Sequence, residues 1–426
     1  MEAIEFSTLG AILGLIIAII LIIKNFHSTY SLILGALIGG IIGGGGLTGT
    51  VTAMIEGSAG MMSSILRIMT SGILAGCLVK TGAAEKIADT IVNKLGEKNA
   101  LISIAISTMI ICAVGVFVDI SVITTAPIAL AVARRTEMSK SSALLAMIGG
   151  GKAGNIISPN PNTIATSEAF GVNLNSLMGV NIIPAIVALI VTIILSKSMN
   201  RKFKDTVTDG DIDIVDSSSN NLPKFASAIA GPITVVILLA LRPLFDIVID
   251  PLVALPVGGI ICLLACGKIK NISEYSAYGF SKVIGVCALL IGTGTLSGII
   301  SNSHLQTDMV NLIETLNMKP FVLAPISGLL MAAATASTTA GATIASKTFA
   351  DTLISANVNS LNAAAMVHAG STILDSLPHG SFFHATGGSV KMAIKDRLKL
   401  IPYEAIVGLS STITCLLYTS DAADDM

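Results

Sequence analysis

Two apolar segments of the chain lie about 219 residues apart and are interrupted by glycine, proline and small polar residues. The first, residues 149–162, reads GGGKAGNIISPNPN, and the second, residues 367–380, reads VHAGSTILDSLPHG. The offset places Gly151 on Gly370 and Pro159 on Pro378. Irregular backbone survives at membrane depth only where it is buried in protein or lines a polar cavity. Paired interruptions of this kind are typical of the binding site of a membrane transporter.

The composition also indicates a membrane protein. Of the 426 residues, 53% are hydrophobic and only 12% are charged, whereas soluble domains carry about 25% charged residues. So few charges cannot coat a soluble body of this size, and we predict an all-α polytopic protein of the bacterial cytoplasmic (inner) membrane. A net charge of -1 gives no basic surface for nucleic acid. The sequence has no enzyme motif and no metal-site pattern of cysteine and histidine, so we predict neither an enzyme nor a bound metal or cofactor.

About ten to twelve membrane-spanning helices are predicted, with helical hairpins or discontinuous helices at mid-membrane. A span needs about 20 mainly apolar residues. Runs approaching this length occupy residues 6–23, 30–46, 101–117, 180–195, 225–241, 251–266, 279–300 and 321–336. Shorter or interrupted apolar runs occupy residues 68–79, 120–132, 144–164, 361–374 and 405–418. The last of these is too short for a comfortable span.

The longest polar stretch, residues 197–224, divides the chain into two membrane halves, residues 1–196 and 225–418. Its sequence includes DGDIDIVDSSSNN, which is typical of a flexible linker. Basic residues at its start place it in the cytoplasm by the positive-inside rule. We interpret residues 419–426 as a truncated or non-native tail.

The charges of the loops predict that the two halves are inverted relative to each other. Arg134, Arg135 and Lys140 lie one loop before the uncharged segment 172–180. The offset reverses this order in the second half, where the positions matching the basic loop carry no positive charge and residues 391–399 are basic. Because basic loops stay on the cytoplasmic side, the exchange favours an inverted repeat over a parallel one.

Polar residues gather at two places in each half, around Asp119 and around the interruption, and at the matching positions of the second half. An ionisable residue within a span costs several kcal/mol unless it is paired or hydrated. Interrupted helices also present N-terminal N–H groups that attract anions. We therefore predict a site for a small organic anion. Its residues are Asp119, Ser121, Thr124, Lys152, Asn155, Ser158, Asn160, Asn162, Ser337, Thr338, Thr339, Asp375, Ser376 and His379.

The coupling ion stays open at this point. Asp119, Asp375 and His379 are the candidates for carrying a proton, whereas carbonyl oxygens of the unwound backbone would hold Na⁺. Lys152 is expected either to contact the substrate or to form an ion pair with Asp119 or Glu168.

Several segments resemble the gluconate permease family, bacterial symporters of gluconate and related organic acids. They are KTGAAEKIADT at residues 80–90, VFVD at 116–119, ARRT at 133–136, NIISPNPN at 155–162, AATASTTAGAT at 333–343 and DSLPH at 375–379. The resemblance implies an inverted-repeat symporter that couples uptake to protons, moves in an elevator-like way and forms a homodimer. It places Asp119, Asn155, Ser158, Asn160, Thr338 and Asp375 near the site.

We predict a secondary active transporter that imports a gluconate-like hydroxyacid anion, with H⁺ and possibly Na⁺ as the coupling ion. A Na⁺-coupled dicarboxylate or tricarboxylate carrier and a cation/proton antiporter are the alternatives within transport. Outside transport driven by a gradient, the alternatives are a channel or a membrane sensor. An antiporter needs ionisable groups but no cluster of serine, threonine and asparagine, and a channel needs one continuous polar path.

Overall fold

The computed structural model of the chain describes residues 5–24, 26–96, 99–208, 211, 222–245, 247, 249–305, 307–308, 311, 315, 319–378 and 380–424. Apart from two isolated bridges, no residue in these ranges lies in a β-strand. The helices of the first half are α1 (Thr8–Ile23), α2 (Ser28–Ile42), α3 (Gly46–Ala59), α4 (Met62–Lys80), α5 (Ala83–Leu95), α6 (Ala100–Ala113), α7 (Val118–Arg135), α8 (Lys140–Asn155), α9 (Pro161–Ala169), α10 (Leu174–Val180) and α11 (Ile182–Lys202). Those of the second half are α12 (Phe225–Phe245), α13 (Pro251–Ala265), α14 (Ile272–Ser301), α15 (Leu323–Thr335), α16 (Thr338–Ser355), α17 (Ser360–Gly370), α18 (Ser381–Ser389), α19 (Ile394–Leu398) and α20 (Ile401–Asp424).

Every apolar run predicted as a full span is helical over most of its length, which confirms the all-α fold. The interrupted run at residues 144–164 breaks between α8 and α9, as its prolines predict. The run at residues 405–418 is part of the longer helix α20, so its interpretation as too short for a span is wrong. Helix α20 begins before residue 405 because Glu404, whose charge limited the predicted apolar run, forms a buried ion pair with Arg397. Both side chains are 1% exposed.

Only some helices of the described ranges are long and apolar enough to cross a membrane alone. By length and composition these are three, within Ile182–Lys202, Ile269–Ser301 and Ile394–Tyr418. Helices α4 and α5 form a pair bent by 58°, and the total is four if this pair counts as one span. Apolar helical segments of 10–17 residues lie on α1, α2, α6, α12, α13 and α15, the one on α12 being Phe225–Leu239. The total of ten to twelve crossings stays a prediction, because it depends on how the shorter helices combine.

Helices recur at the sequence offset. Helices α7, α8, α9 and α11 correspond in order and position to α16, α17, α18 and α20. Their packing is reciprocal, since α9 contacts α16 while α18 contacts α7. Helices α11 and α20 contact each other, and Lys202 at the end of α11 donates a hydrogen bond of 3.2 Å to the hydroxyl of Tyr403 at the start of α20. This pair therefore runs antiparallel, which is the relation that an inverted repeat predicts for it.

Glycine contacts divide the helices around the breaks into two tightly packed groups. Helix α14 packs against α2, α3 and α4, and we call these four helices the scaffold bundle. A Cβ atom on Gly279 of α14 would lie 1.8 Å from the carbonyl oxygen of Gly72 on α4. Helices α8 and α17 pack instead on α6 and α15, with α7 and α16 packed beside them, and we call these six helices the site bundle. A Cβ atom on Gly150 would lie 2.1 Å from the carbonyl oxygen of Ala105. Only glycine permits so close a backbone approach.

Candidate functional site

The interruption of the first half is a buried, hydrogen-bonded turn between α8 and α9. Pro161 occupies the first turn of α9, where its missing N–H costs nothing. The side chain of Asn160 caps α9 by accepting from the N–H groups of Asn162 and Thr163. Its amide nitrogen donates to Oδ1 of Asn155 over 2.6 Å, and Asn162 Nδ2 donates to the same oxygen over 3.0 Å. Three asparagines thus fix the turn and satisfy one another.

The interruption of the second half is joined to the first by a buried ion pair. Lys152 Nζ lies 2.6 Å from Asp375 Oδ1, and each side chain is 2% exposed. Thr338 Oγ1 donates to Asp375 Oδ2 over 2.6 Å, and Ser376 Oγ donates to Oδ1 over 2.9 Å. Lys152 Nζ also donates to the carbonyl of Thr372 over 2.6 Å. The hydrogen bonds and the opposite charge together offset the desolvation of both ions.

Two further helix breaks lie beside these turns, one between α6 and α7 and the other between α15 and α16. Helix α7 starts at Val118, and α16 starts at Thr338 after Ala336, whose φ of 47° turns the chain into the left-handed region. Ser337 caps α16 by accepting from the N–H of Ala340. Thr339 Oγ1 donates to Asn162 Oδ1 over 2.5 Å and so ties α16 to the first interruption. Both helix N-termini carry the positive end of a helix dipole.

A cavity of about 200 Å³ lies where these elements meet. This volume is several times the roughly 30 Å³ that one water occupies in the liquid. Asp119 and Lys282 supply the charged groups of its lining, and Phe117 and Phe382 supply aromatic surface. The other polar residues that line it are Asn155, Asn162, Ser337, Thr338 and Thr339. The cavity therefore combines opposite charges, hydroxyl and amide groups, and the start of two helices.

Asp119 differs from Asp375 in its partners. Its Oδ1 accepts the backbone N–H of Ile120 over 2.9 Å. Across the described ranges of the chain, the Asp119 carboxylate makes no ion pair within 4 Å, whereas Asp375 has Lys152. Of the two carboxylates, Asp119 is the one that faces the cavity.

The predicted site residues fall into three groups. Asp119, Asn155, Asn162, Ser337, Thr338 and Thr339 line the cavity. Lys152, Asn160, Asp375 and Ser376 form the buried network behind it. The remaining described ones, Ser121, Thr124 and Ser158, do not line it. His379 lies outside the described residues.

Specific partners explain two of these placements and the position of Glu168. Ser121 donates to the carbonyl of Phe117 within its own helix, over 2.9 Å, as serine in helices commonly does. Lys152 pairs with Asp375, so the prediction of Asp119 or Glu168 as its partner is wrong. Glu168 instead pairs with Arg67 in a separate cavity of about 220 Å³.

Sequence reasoning missed Lys282, which reaches the cavity from α14. A signal was present, because it is the single charged residue of the apolar run at residues 279–300. No group of three or more histidine, cysteine, aspartate or glutamate residues that would hold a metal ion occurs within the described part of the chain.

Comparison with known proteins gives one consistent family. The sequence profile described as GntP family permease matches residues 6–420. A relative in Haemophilus influenzae, named as an uncharacterized transporter, is 52% identical over 411 residues, which are 96% of this chain and 97% of the relative. The high-affinity gluconate transporter of Escherichia coli (strain K12) is 22% identical over 388 residues, or 83% of this chain and 85% of the relative.

The fold is also that of known transporters. The crystal structure of the Alcanivorax borkumensis YdaH transporter matches with a TM-score of 0.68 and 13% sequence identity, and the match covers 97% of this chain and 99% of that chain. At this identity the likeness concerns the fold alone. The family match spans almost the whole chain, so this protein is a multi-pass secondary transporter of the bacterial inner membrane and not an enzyme, and it belongs to the GntP family of permeases.

Proposed function

We propose that this permease imports a gluconate-like hydroxyacid anion together with a proton. The observation that carries the proposal is the polar cavity between the two interrupted segments, where Lys282 and two helix N-termini face hydroxyl and amide side chains. A carboxylate suits a lysine and the positive end of a helix. The hydroxyls of a sugar acid suit Asn155, Asn162 and the three hydroxyl residues 337–339. The gluconate transporter among the relatives supports this class of substrate.

Asp119 is the residue that we assign to proton coupling. A substrate carboxylate in the same cavity as the Asp119 carboxylate would repel it. Binding of a proton to Asp119 removes this repulsion, so proton and anion each favour the binding of the other. Asp375 is less suited to the role, because Lys152 and two hydroxyl donors already match its charge.

The packing suggests how access alternates. Lys152 and Asp375 join the two interruptions, and glycine contacts bind α8 to α6 and α17 to α15. The site bundle is therefore built to move as one body against the scaffold bundle, in an elevator-like step. We propose that the protein works as a homodimer whose scaffold bundles stay fixed in the membrane.

Uptake of labelled gluconate into proteoliposomes tests the function. Separate samples receive an inward proton gradient, an inward Na⁺ gradient, or neither. Accumulation driven by the proton gradient alone supports the proposal, whereas accumulation driven by Na⁺ alone assigns Na⁺ as the coupling ion. Correctly inserted protein that takes up no gluconate under any gradient rejects this substrate. A competition panel of dicarboxylates, citrate and other hydroxyacids then identifies the substrate class.

A further inference from the structure

We infer that Lys282 binds the carboxylate of the substrate on one side of the transport cycle only, and so makes the affinity for substrate differ between the two faces of the membrane. The inference rests on the proposed function and deepens it.

Lys282 is an unusual residue for its position. Helix α14 has 30 residues, of which only Glu274 near its start and Lys282 are charged. A lysine at membrane depth costs several kcal/mol unless it is paired or hydrated. Within the described ranges, the Lys282 ammonium group makes no ion pair within 4 Å, and Nζ lies 5.1 Å from the centroid of the Tyr278 ring. Lys282 therefore has no direct ion pair, and the opposite charge that shares its described cavity lining is the carboxylate of Asp119.

The cavity brings Lys282 toward groups that belong to other helices. Among the described lining residues, Lys282 and Val286 come from α14 and the scaffold bundle. Every other polar lining residue lies on α7, α8, α9 or α16, or at a break beside them. Among the described residues, Lys282 is thus the one polar group that the scaffold bundle contributes to the cavity in this conformation.

The backbone of Lys282 is held firmly to the scaffold bundle. Gly279 lies three residues before it on α14, and a Cβ atom there would lie 1.8 Å from the carbonyl oxygen of Gly72 on α4. One turn further back, the carbonyl of Tyr275 would lie 2.3 Å from a Cβ atom on Gly76. Helices in such close contact move together rather than slide past each other. Movement of the site bundle against the scaffold bundle must therefore separate Lys282 from Asn155 and Thr338.

The separation removes the positive charge of Lys282 from the surroundings of the substrate carboxylate. With Asp119 protonated and the substrate carboxylate beside Lys282, the loaded cavity is neutral. After the site bundle has moved away from Lys282, the carboxylate keeps only helix N-termini and neutral side chains as partners. A hydrogen bond to a charged group contributes enough to change affinity about tenfold to a hundredfold. Substrate is then held more weakly on the side of the membrane where Lys282 is absent from the site.

The test measures the KM for gluconate separately from each membrane face, by uptake and by efflux in proteoliposomes of known orientation. We expect Lys282→Gln to raise the KM about tenfold to a hundredfold at one face and to leave it unchanged at the other. Lys282→Arg keeps the charge and should stay within a few-fold of the unmodified protein. Lys80→Gln is the matched control, because Lys80 stacks on the same Tyr278 ring at 4.7 Å but lies at the end of α4, outside the cavity.

Two results would overturn the inference. One is a KM that is unchanged at both faces in Lys282→Gln, and the other is an equal increase at both faces. Protein that accumulates no gluconate before any substitution rejects the proposed function, and the inference with it.

A second measurement needs no substitution at all. Gluconate should protect Lys282, but not Lys80, from an amine-specific reagent in the purified protein, with the modified lysines identified by mass spectrometry. Equal modification of Lys282 with and without gluconate, in protein that transports gluconate, contradicts the inference.

Discussion

Removing one partner of the Lys152–Asp375 pair tests whether buried charge holds the two interruptions together. Nζ and Oδ1 lie 2.6 Å apart, and each side chain is only 2% exposed. A buried ion that loses its partner destabilises a protein by about 3–5 kcal/mol, against about 0–1 kcal/mol for an exposed pair. We therefore expect Lys152→Met to lower the free energy of unfolding by about 3–5 kcal/mol, because it leaves the Asp375 carboxylate buried and unpaired.

The double variant Lys152→Met with Asp375→Asn removes both charges at once. Asparagine keeps an oxygen that can accept from Thr338, so no buried hydroxyl needs to lose its acceptor. We expect the double variant to recover most of the stability that Lys152→Met loses, to within about 1–2 kcal/mol of the unmodified protein.

The free energy of unfolding is measured by SDS titration in mixed micelles. A thiol-reactive dye reports unfolding, since Cys77, Cys112 and Cys262 are free and buried in the folded protein. Lys399→Met is the matched control, because Lys399 lies 2.7 Å from Asp396 in a pair whose side chains are 49% and 44% exposed. The reasoning fails if Lys152→Met costs no more than Lys399→Met. It also fails if the losses of stability measured for Lys152→Met alone and for Asp375→Asn alone simply add in the double variant.

Three further predictions concern coupling, packing and the linker. Asp119→Asn should retain exchange of gluconate across the membrane but lose accumulation driven by a proton gradient; continued proton-driven accumulation would remove Asp119 from the coupling role. Gly150→Ala should sharply reduce the yield of monodisperse protein in size-exclusion chromatography, since the new Cβ atom meets a backbone oxygen at 2.1 Å, whereas Gly179→Ala, with open space around it, should not. At Asp211, burial raises the pKa but is outweighed by hydrogen bonds from Lys140 and Thr208, which lower the pKa to about 2. Because folding lowers the pKa of Asp211, its ionised carboxylate stabilises the folded state above about pH 4, and this stabilisation is lost as the pH falls toward 2. Hydrogen exchange of residues 205–208 should therefore become faster as the pH falls from about 4 to 2. It should also be faster in Asp211→Asn than in the unmodified protein at neutral pH.

The sequence predicted the breaks well because their causes are local. Proline favours the first turn of a helix, so the turn before Pro161 could be placed without any tertiary information. Asp119 was also found from the sequence, since a carboxylate within an apolar run has no local partner. Ion-pair partners were not predictable in this way. Lys152 meets Asp375, more than 200 positions later in the chain, through packing that no local pattern encodes.

Side-chain direction set a second limit on what the sequence could predict. Ser121 lies within one turn of Asp119, but its hydroxyl bonds to its own helix instead of facing the cavity. Lys282 was overlooked for the opposite reason, because nothing in its neighbourhood shows that α14 passes beside residues 337–339. A polar residue in an apolar run identifies a candidate, but only the packing of distant helices shows which cavity it reaches.

The two halves share their helices but not their charges, and this difference is what makes a charged site possible. The offset places Asp119 on Thr338 and Lys152 on Ser371. A strictly symmetric pair of halves would put two like carboxylates near one cavity and two like ammonium groups behind it, and both arrangements are destabilising. Loss of symmetry in the side chains leaves one carboxylate free to face the cavity, while Lys152 neutralises Asp375 in the wall. The repeat therefore determines where the helices break, and its departures from symmetry determine where the cavity carries charge.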